Sequence, residues 1–391
     1  MIAIDTKIFD FDVIQEIYSD EEFLSELESM IEKAMKENTH IVVKELFRKW
    51  FYDEKDILAR EKVKRFLLDN NPEKYIEMFY QKEAEKIEGN IDCYKVLKVW
   101  PGPLKNAMDE KVYRQRKTII TDVITPENLD MFTGITKLDL NVKPKKKTLW
   151  SNKERLRKIK LRHKDEYDAL KKDFVKVFDY DTFAKRFRAK LLGAMKVDVC
   201  PYCNRQFITM FDDNGQSKAT ADIDHFYCKD IYPFLALSLY NFIPSCQICN
   251  SRFKLAKDFY KVPHINPYRR GFLDDCIFQI KSLDGLINEE NLQYGLINST
   301  GDEAINNSVN TFHLNEVYQS HKEYVKELVR KSKIYNESQL TEYLRNFQEL
   351  FKSQEELIEL LYGSYFDLEK LSLRPLSKLT RDILKDIGVE L

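Results

Sequence analysis

The sequence has no run of about 18 or more apolar residues, the length a helix needs to cross a bilayer, so no transmembrane span is expected. Its first residues, MIAIDTKIFDFDVIQE, lack a basic stretch followed by an apolar one, so no secretory signal is expected either. Net charge is missing as well. The chain carries 63 Lys and Arg against 64 Asp and Glu, and the resulting −1 says nothing by itself about nucleic acid. A disulfide framework is also absent from the pattern: Cys93, Cys228 and Cys276 are scattered, and the remaining four of the seven cysteines fall into two close pairs. That usage fits a reducing interior, and a cytoplasmic location with no membrane association is expected.

What is present suggests a soluble globular chain of two or three domains: 391 residues, 32% charged and 43% hydrophobic. The charge is unevenly spread. From Asn141 to Lys164 there are eleven Lys or Arg and one acid, Glu154, whereas the first 40 residues and the tail beyond Glu337 are richer in acid. Such a run is either a solvated linker or an arm that contacts phosphates. Residues 1–140 read as a helical scaffold or partner domain. Asp20–Lys36, His40–Phe51 and Ile57–Leu68 have helical apolar spacing, and Pro72 suits the first turn of the next helix. Trp100-Pro101-Gly102-Pro103 breaks that pattern, and the region shows neither a catalytic motif nor a repeat. Residues 141–195 are expected to form a basic linker and then one helix from Phe174 to Met195, with Phe183, Phe187 and Leu191 recurring every four residues. Residues 266–391 are expected to be mostly helical (Leu314–Ile334, Gln339–Phe351, Gln354–Tyr362 and a last short helix), after a hairpin around Ile277–Ile280 and Leu292–Ile297.

The informative segment is 196–265. Cys200/Cys203 and Cys246/Cys249 are two Cys-x-x-Cys pairs, and four thiolates in two knuckles suit a tetrahedral structural zinc site. The 42 residues between the pairs exceed what a zinc ribbon needs. They hold Asp222, Asp224, His225 and Asn241, and Asn250 directly follows the last cysteine. His225 has an ordinary pKa near ~6.5 and could accept a proton from water, while Asp224 and Asn250 offer hard oxygens to Mg²⁺ or Mn²⁺. Asp222 is a rival ligand, because residues i and i+2 share a strand face.

This order, with the ending CNSRFK, resembles the HNH nucleases of the ββα-metal family, over roughly 55 of the 391 residues. The resemblance implies a mainly α protein with a small α+β HNH core stabilised by the four-cysteine zinc. It implies a first strand over Thr220–Phe226 carrying the metal ligand Asp224 and the base His225. A second strand over Asn241–Ser245 would follow, with Asn241 bonding backbone near His225, and then a helix from near Gln247 that turns Asn250 back toward Asp224. The loop KDIYPFLALSLY departs from the Gly-Gly loop of many members; it is apolar and helix-like. His264, His313 and His321 read as surface or packing histidines, and Cys228 as a buried thiol.

The function this implies is metal-dependent hydrolysis of DNA phosphodiester bonds. The alternative is a catalytically silent, zinc-stabilised nucleic-acid-binding subunit of a larger complex. Stretches such as TFHLNEVYQSHKEYV and RPLSKLTRDIL resemble the tails of HNH effectors in bacterial anti-phage systems. That second resemblance implies a partner, for instance an ATPase of Septu or retron type. The flanks leave room for such a partner or for a homo-oligomer.

Overall fold

The computed structural model describes residues 1–37, 39–86, 170–282, 284–287 and 289–391; Cys93, the Trp100–Pro103 break and the basic run Asn141–Lys164 lie outside these described residues. The chain is mainly helical. Among the described residues its α-helices of five residues or more, apart from the stretch 170–177, are in order α1 (Phe11–Tyr18), α2 (Glu21–Lys36), α3 (Ile41–Phe51), α4 (Arg60–Leu67), α5 (Glu73–Lys86) and α6 (Tyr180–Met195). After the sheets come α7 (Glu303–Thr311), α8 (Leu314–Tyr318), α9 (Lys322–Ile334), α10 (Glu337–Asn346), α11 (Gln354–Tyr362) and α12 (Ser377–Asp386). The strands β1 (Met210–Asp213), β2 (Gln216–Ala219), β3 (Asp222–His225), β4 (Phe242–Ser245), β5 (Cys276–Ile280) and β6 (Tyr294–Asn298) form three antiparallel pairs, β1–β2, β3–β4 and β5–β6. Among the described residues no helix is long and apolar enough to cross a membrane.

The chain divides into two compact units, one of residues 1–20, 180–231 and 236–391, the other of residues 21–179 and 232–235. The second is built on aromatic packing. Trp50 lies 5.3 Å from Phe66 and 5.4 Å from Phe234, and Phe174 lies 5.7 Å from Phe47 and 5.2 Å from Phe234. Phe234 comes from the insert loop. The four residues Tyr232–Leu235 belong to this unit, where Tyr232 also exchanges a hydroxyl hydrogen bond with Tyr80 at 3.0 Å. This accounts for the apolar loop in place of a glycine-rich one: Phe234 is 1% exposed. The loop is not one helix but two single 3₁₀ turns, Pro233–Leu235 and Leu239–Asn241.

The expected helix Phe174–Met195 is broken at 178–179, between the helical stretch 170–177 and α6. The apolar spacing explains the break. Phe174 and Phe178 share one stripe, Phe183, Phe187 and Leu191 another, and the step of five residues between them rotates the face by roughly 140° on a 3.6-residue helix. The two faces serve different units, since the division falls at Asp179/Tyr180. Likewise Leu314–Ile334 is interrupted by a 3₁₀ turn at Gln319–His321.

In the first unit α1 packs on α6, with Tyr18 5.8 Å from Phe183 and its hydroxyl donating to Leu237 O at 3.1 Å. α12 covers the open edge of β5: Asp382 accepts the N–H of Phe278 at 3.0 Å and Asp386 that of Ile280 at 2.8 Å. Carboxylates thus satisfy strand donors that would otherwise be free. The β1–β2 hairpin was legible in Asn214-Gly215, a pair that supplies the two positive φ angles of a tight hairpin turn (54° and 78°).

Candidate active site

The four cysteines converge. The sulfurs of Cys200, Cys203, Cys246 and Cys249 lie within 4.8 Å of one another, and all four residues are buried. A tetrahedral zinc with Zn–S of about 2.3 Å requires sulfurs about 3.8 Å apart. The Cys203–Cys246 separation of 4.0 Å is close to that. The thiols perturb one another strongly: donation from Cys200, Cys203 and Cys249 drives Cys246 far down, and burial pushes Cys200 up. A cluster in which sulfurs compete to hold negative charge suits a divalent cation. No described cysteine is in a disulfide, Cys228 and Cys276 included.

The first knuckle is fixed by its neighbours. Asn204 adopts a positive φ of 50°, its carbonyl accepts the N–H of Leu376 at 2.6 Å, and its side chain accepts the N–H of Lys378 at 3.0 Å and donates to Leu371 O at 3.0 Å. Tyr318 donates to Cys203 O at 2.6 Å. The second knuckle opens a helical turn at Gln247 that becomes π-helical over Cys249–Lys254, with the Leu255 N–H reaching five residues back to Asn250 O at 3.1 Å. Such turns re-aim side chains. Here the π turn presents Asn250 and Lys254 to the β3–β4 pair.

Register places Asp222 opposite Ser245 and His225 opposite Phe242. Alternation then separates the residues of β3. On one face lie Asp222 and Asp224. Asp224 is 4% exposed, and both its oxygens are occupied: Tyr202 donates to Oδ2 at 2.5 Å and Lys254 to Oδ1 at 3.0 Å. Lys254, 1% exposed, also donates to His225 O at 2.6 Å and lies 4.9 Å over the Phe259 ring. Asp222 is more open. It accepts from Asn250 Nδ2 at 3.2 Å and from Arg188 at 3.2 Å, and Arg188 also donates to Ala221 O at 2.8 Å. Asn250 therefore meets Asp222, while Asp224 meets Tyr202 and Lys254.

His225 points the other way, with its ring 4.5 Å from Tyr180 and 5.2 Å from Phe242, both edge-on. Its Nε2 lies 3.0 Å from Ala236 O. That carbonyl can only accept, so the ring proton belongs on Nε2 and Nδ1 keeps the lone pair. Burial lowers its pKa to about 3, against a smaller raising effect from the Ala236 carbonyl. Tyr180, pushed up to about 12 by burial, feels the charges of Arg188, Asp222 and Asp224 as well as packing on His225. Asn241 spans the hairpin: its Oδ1 accepts the N–H of Tyr227 at 2.7 Å and its Nδ2 donates to Tyr227 O at 3.0 Å.

Reasoning from sequence missed Tyr202, Lys254, Arg188 and Tyr180. Lys254 carried a signal, four residues beyond Asn250 in CNSRFK; Tyr202 lies between two cysteines and gave none. His264 packs 3.7 Å from Phe259 and lies 2.9 Å from Thr311 Oγ1, a packing role. Comparison with known proteins gives no match among family models, curated proteins or solved structures.

Proposed function

We propose that this chain is a metal-dependent endonuclease of the HNH type that hydrolyses DNA phosphodiester bonds. The observation that carries the reading is the order in space: strand β3 with His225, strand β4 entered through Asn241, and a helical turn presenting Asn250, tied at its start by the cysteine cluster. Asn241 clamps the backbone two residues beyond His225, which holds the end of β3 in place.

Zinc would be held by Cys200, Cys203, Cys246 and Cys249, and a divalent Mg²⁺ or Mn²⁺ by a carboxylate of β3 with the amide oxygen of Asn250. Bound there, the second ion would stabilise charge on the phosphate and on the departing oxygen. His225 does the proton work. Water attacks phosphorus as the bond from phosphorus to the departing sugar oxygen breaks; the water's proton passes to Nδ1, the departing oxygen takes a proton from solvent, and the Ala236 carbonyl holds the imidazolium through Nε2. Arg188, half-exposed beside Asp222, supplies a fork that can meet a phosphate oxygen. A role in anti-phage defence, with release by an ATPase partner in the cytoplasm, extends the same reading. The six free described cysteines suit a reducing compartment.

A second reading is a silent zinc-stabilised nucleic-acid-binding subunit. Its support is the enclosure of His225, 6% exposed between two aromatic rings. Plasmid cleavage with and without Mg²⁺ or Mn²⁺, by the parent and by His225→Ala with equal zinc content, decides between them. The nuclease reading expects a loss of about 10²–10⁴-fold in the variant. A variant that cuts at the parent rate removes it.

A further inference from the structure

β3 places two carboxylates on one face, and their surroundings give them opposite chemistry. Asp224 is enclosed and already neutralised. One oxygen is held by Tyr202, whose ring stacks 4.5 Å from Phe312, and the other by the buried ammonium of Lys254. A dication at Asp224 would have to displace Lys254 or sit beside a second positive charge in a site with little water to screen them. Lys254 is further tied to His225 O, so displacing it also uncovers a buried carbonyl.

Asp222 is less obstructed: its cationic partner Arg188 is 43% exposed, so solvent screens that charge. The Asp222 side chain is 30% exposed, and the Arg188 fork engages Oδ1, leaving Oδ2 facing Asn250. The separation of Asp222 Oδ2 and Asn250 Nδ2 is 3.2 Å. Turning the Asn250 amide about its last torsion exchanges nitrogen for oxygen in nearly the same place. Two oxygens that far apart match neighbouring corners of an octahedron, whose edge is about 3.0 Å for Mg–O of about 2.1 Å. Asp222 is 30% exposed and Asn250 half-buried, so water can reach the pair, as a hydrated Mg²⁺ or Mn²⁺ requires. Asn250 is also positioned firmly, because Cys249 beside it belongs to the cysteine cluster.

We infer that Asp222 and Asn250 are the divalent-cation ligands of this chain and that Asp224 is a structural anchor tying the first zinc knuckle, through Tyr202, to β3 and the π turn. The inference rests on the nuclease reading only for the use made of the ion. The ligand pair stands on its own geometry, and Arg188 remains on Oδ1 to face an incoming phosphate.

The test is Mn²⁺ binding to the full zinc-loaded chain, by titration calorimetry and by loss of the free-ion EPR signal. The parent is expected to bind one Mn²⁺ at this site. Asp222→Asn should weaken it by more than about 10–100-fold, the range lost even when only a supporting residue is changed, with zinc content and melting temperature unmoved. Because Asp224→Asn alone strands a buried ammonium, the matched variant is Asp224→Asn with Lys254→Met, which should keep the parent's Mn²⁺ affinity. The inference is overturned if the parent binds no Mn²⁺, if Asp222→Asn binds like the parent, or if the Asp224/Lys254 double variant loses the ion while folded. Plasmid cleavage separates the two readings. Mn²⁺ binding that depends on Asp222 in a parent that never cuts leaves the ligand pair standing and removes the nuclease. A parent that cuts, with Asp222→Asn binding and cutting equally well, does the reverse.

Discussion

Replacing Lys254 with Met tests the buried network most directly. The side chain is 1% exposed and the Asp224 carboxylate 4%, so solvent cannot take over from the missing ammonium. Removing one partner of a buried pair costs about 3–5 kcal/mol, because the other charge is left without compensation. Asp224 keeps its 2.5 Å hydrogen bond from Tyr202, which places the expected loss near the lower end, while His225 O loses its 2.6 Å donor, a further cost in the same direction. We expect about 3 kcal/mol, or a fall in melting temperature of roughly 6–12 °C. The assay is thermal unfolding by circular dichroism of zinc-loaded protein, with Asp224→Asn and the double variant measured alongside. The double variant should recover most of the loss, since neutral partners of similar shape are tolerated where one buried charge is not. A Lys254→Met protein that melts within about 2 °C of the parent, less than the shift for one kcal/mol, would refute the argument. So would a double variant no better than the single one.

Elemental analysis should find one zinc per chain, and Cys246→Ser or chelation should unfold the first unit, since structural zinc supplies roughly 10–16 kcal/mol in small peptides; folded, zinc-free protein would contradict this. His225, held at about 3 while an unfolded histidine titrates near 6.5, makes the unfolded chain bind more protons between those values. Stability should therefore be insensitive to this residue above ~pH 6.5 and fall by up to about 1.4 kcal/mol per pH unit below it. His225→Gln should blunt that fall, as urea midpoints at pH 7 and 5 will show. Phe234→Ala should cost about 3–5 kcal/mol in the second unit, because the ring is fully enclosed by Trp50, Phe79 and Phe174; a change below about 1 kcal/mol would mean the loop is only resting there.

The sequence made some of this legible because the cause was local. Two-residue spacing sets a cysteine knuckle, alternation sets the β5–β6 pair, and apolar periodicity marks α2, α3 and α11. The convergence of Cys200/Cys203 on Cys246/Cys249 was also readable, since paired Cys-x-x-Cys spacing suits a shared metal ion whatever the chain does between. What escaped was decided across distance. Tyr202 reaches Asp224 22 positions away, Lys254 reaches it over 30, and Arg188 reaches Asp222 over 34. Nothing in the periodicity of α6 says which cation will face β3. The split at 178–179 escaped for another reason: both halves are good helices, and only the phase of their aromatic stripes separates them. Asn214-Gly215 is by contrast a local signal, and the tight turn of the β1–β2 hairpin follows from it alone.

The distribution of partners along β3 changes how variants of this site should be interpreted. An inactive Asp224→Ala protein would ordinarily be taken to show a lost metal ligand. Here the same result follows from a stranded Lys254 ammonium and a Tyr202 hydroxyl without its acceptor, with no metal involved. Tyr202 lies between Cys200 and Cys203, so damage at Asp224 also reaches the first knuckle, and loss of a metal held by the cysteines would reach Asn250 through Cys249. On the nuclease reading, structural and catalytic roles are therefore separable only at residues outside this chain of contacts. His225 qualifies on its side-chain partners, Ala236, Tyr180 and Phe242; Asp222 qualifies through its half-exposed pairing with Arg188, provided zinc content is checked, because its other partner Asn250 adjoins Cys249. A loss of the proposed cleavage would carry information about chemistry at those two positions. At Asp224 and Lys254 it would do so only once stability and zinc content have been measured on the same protein.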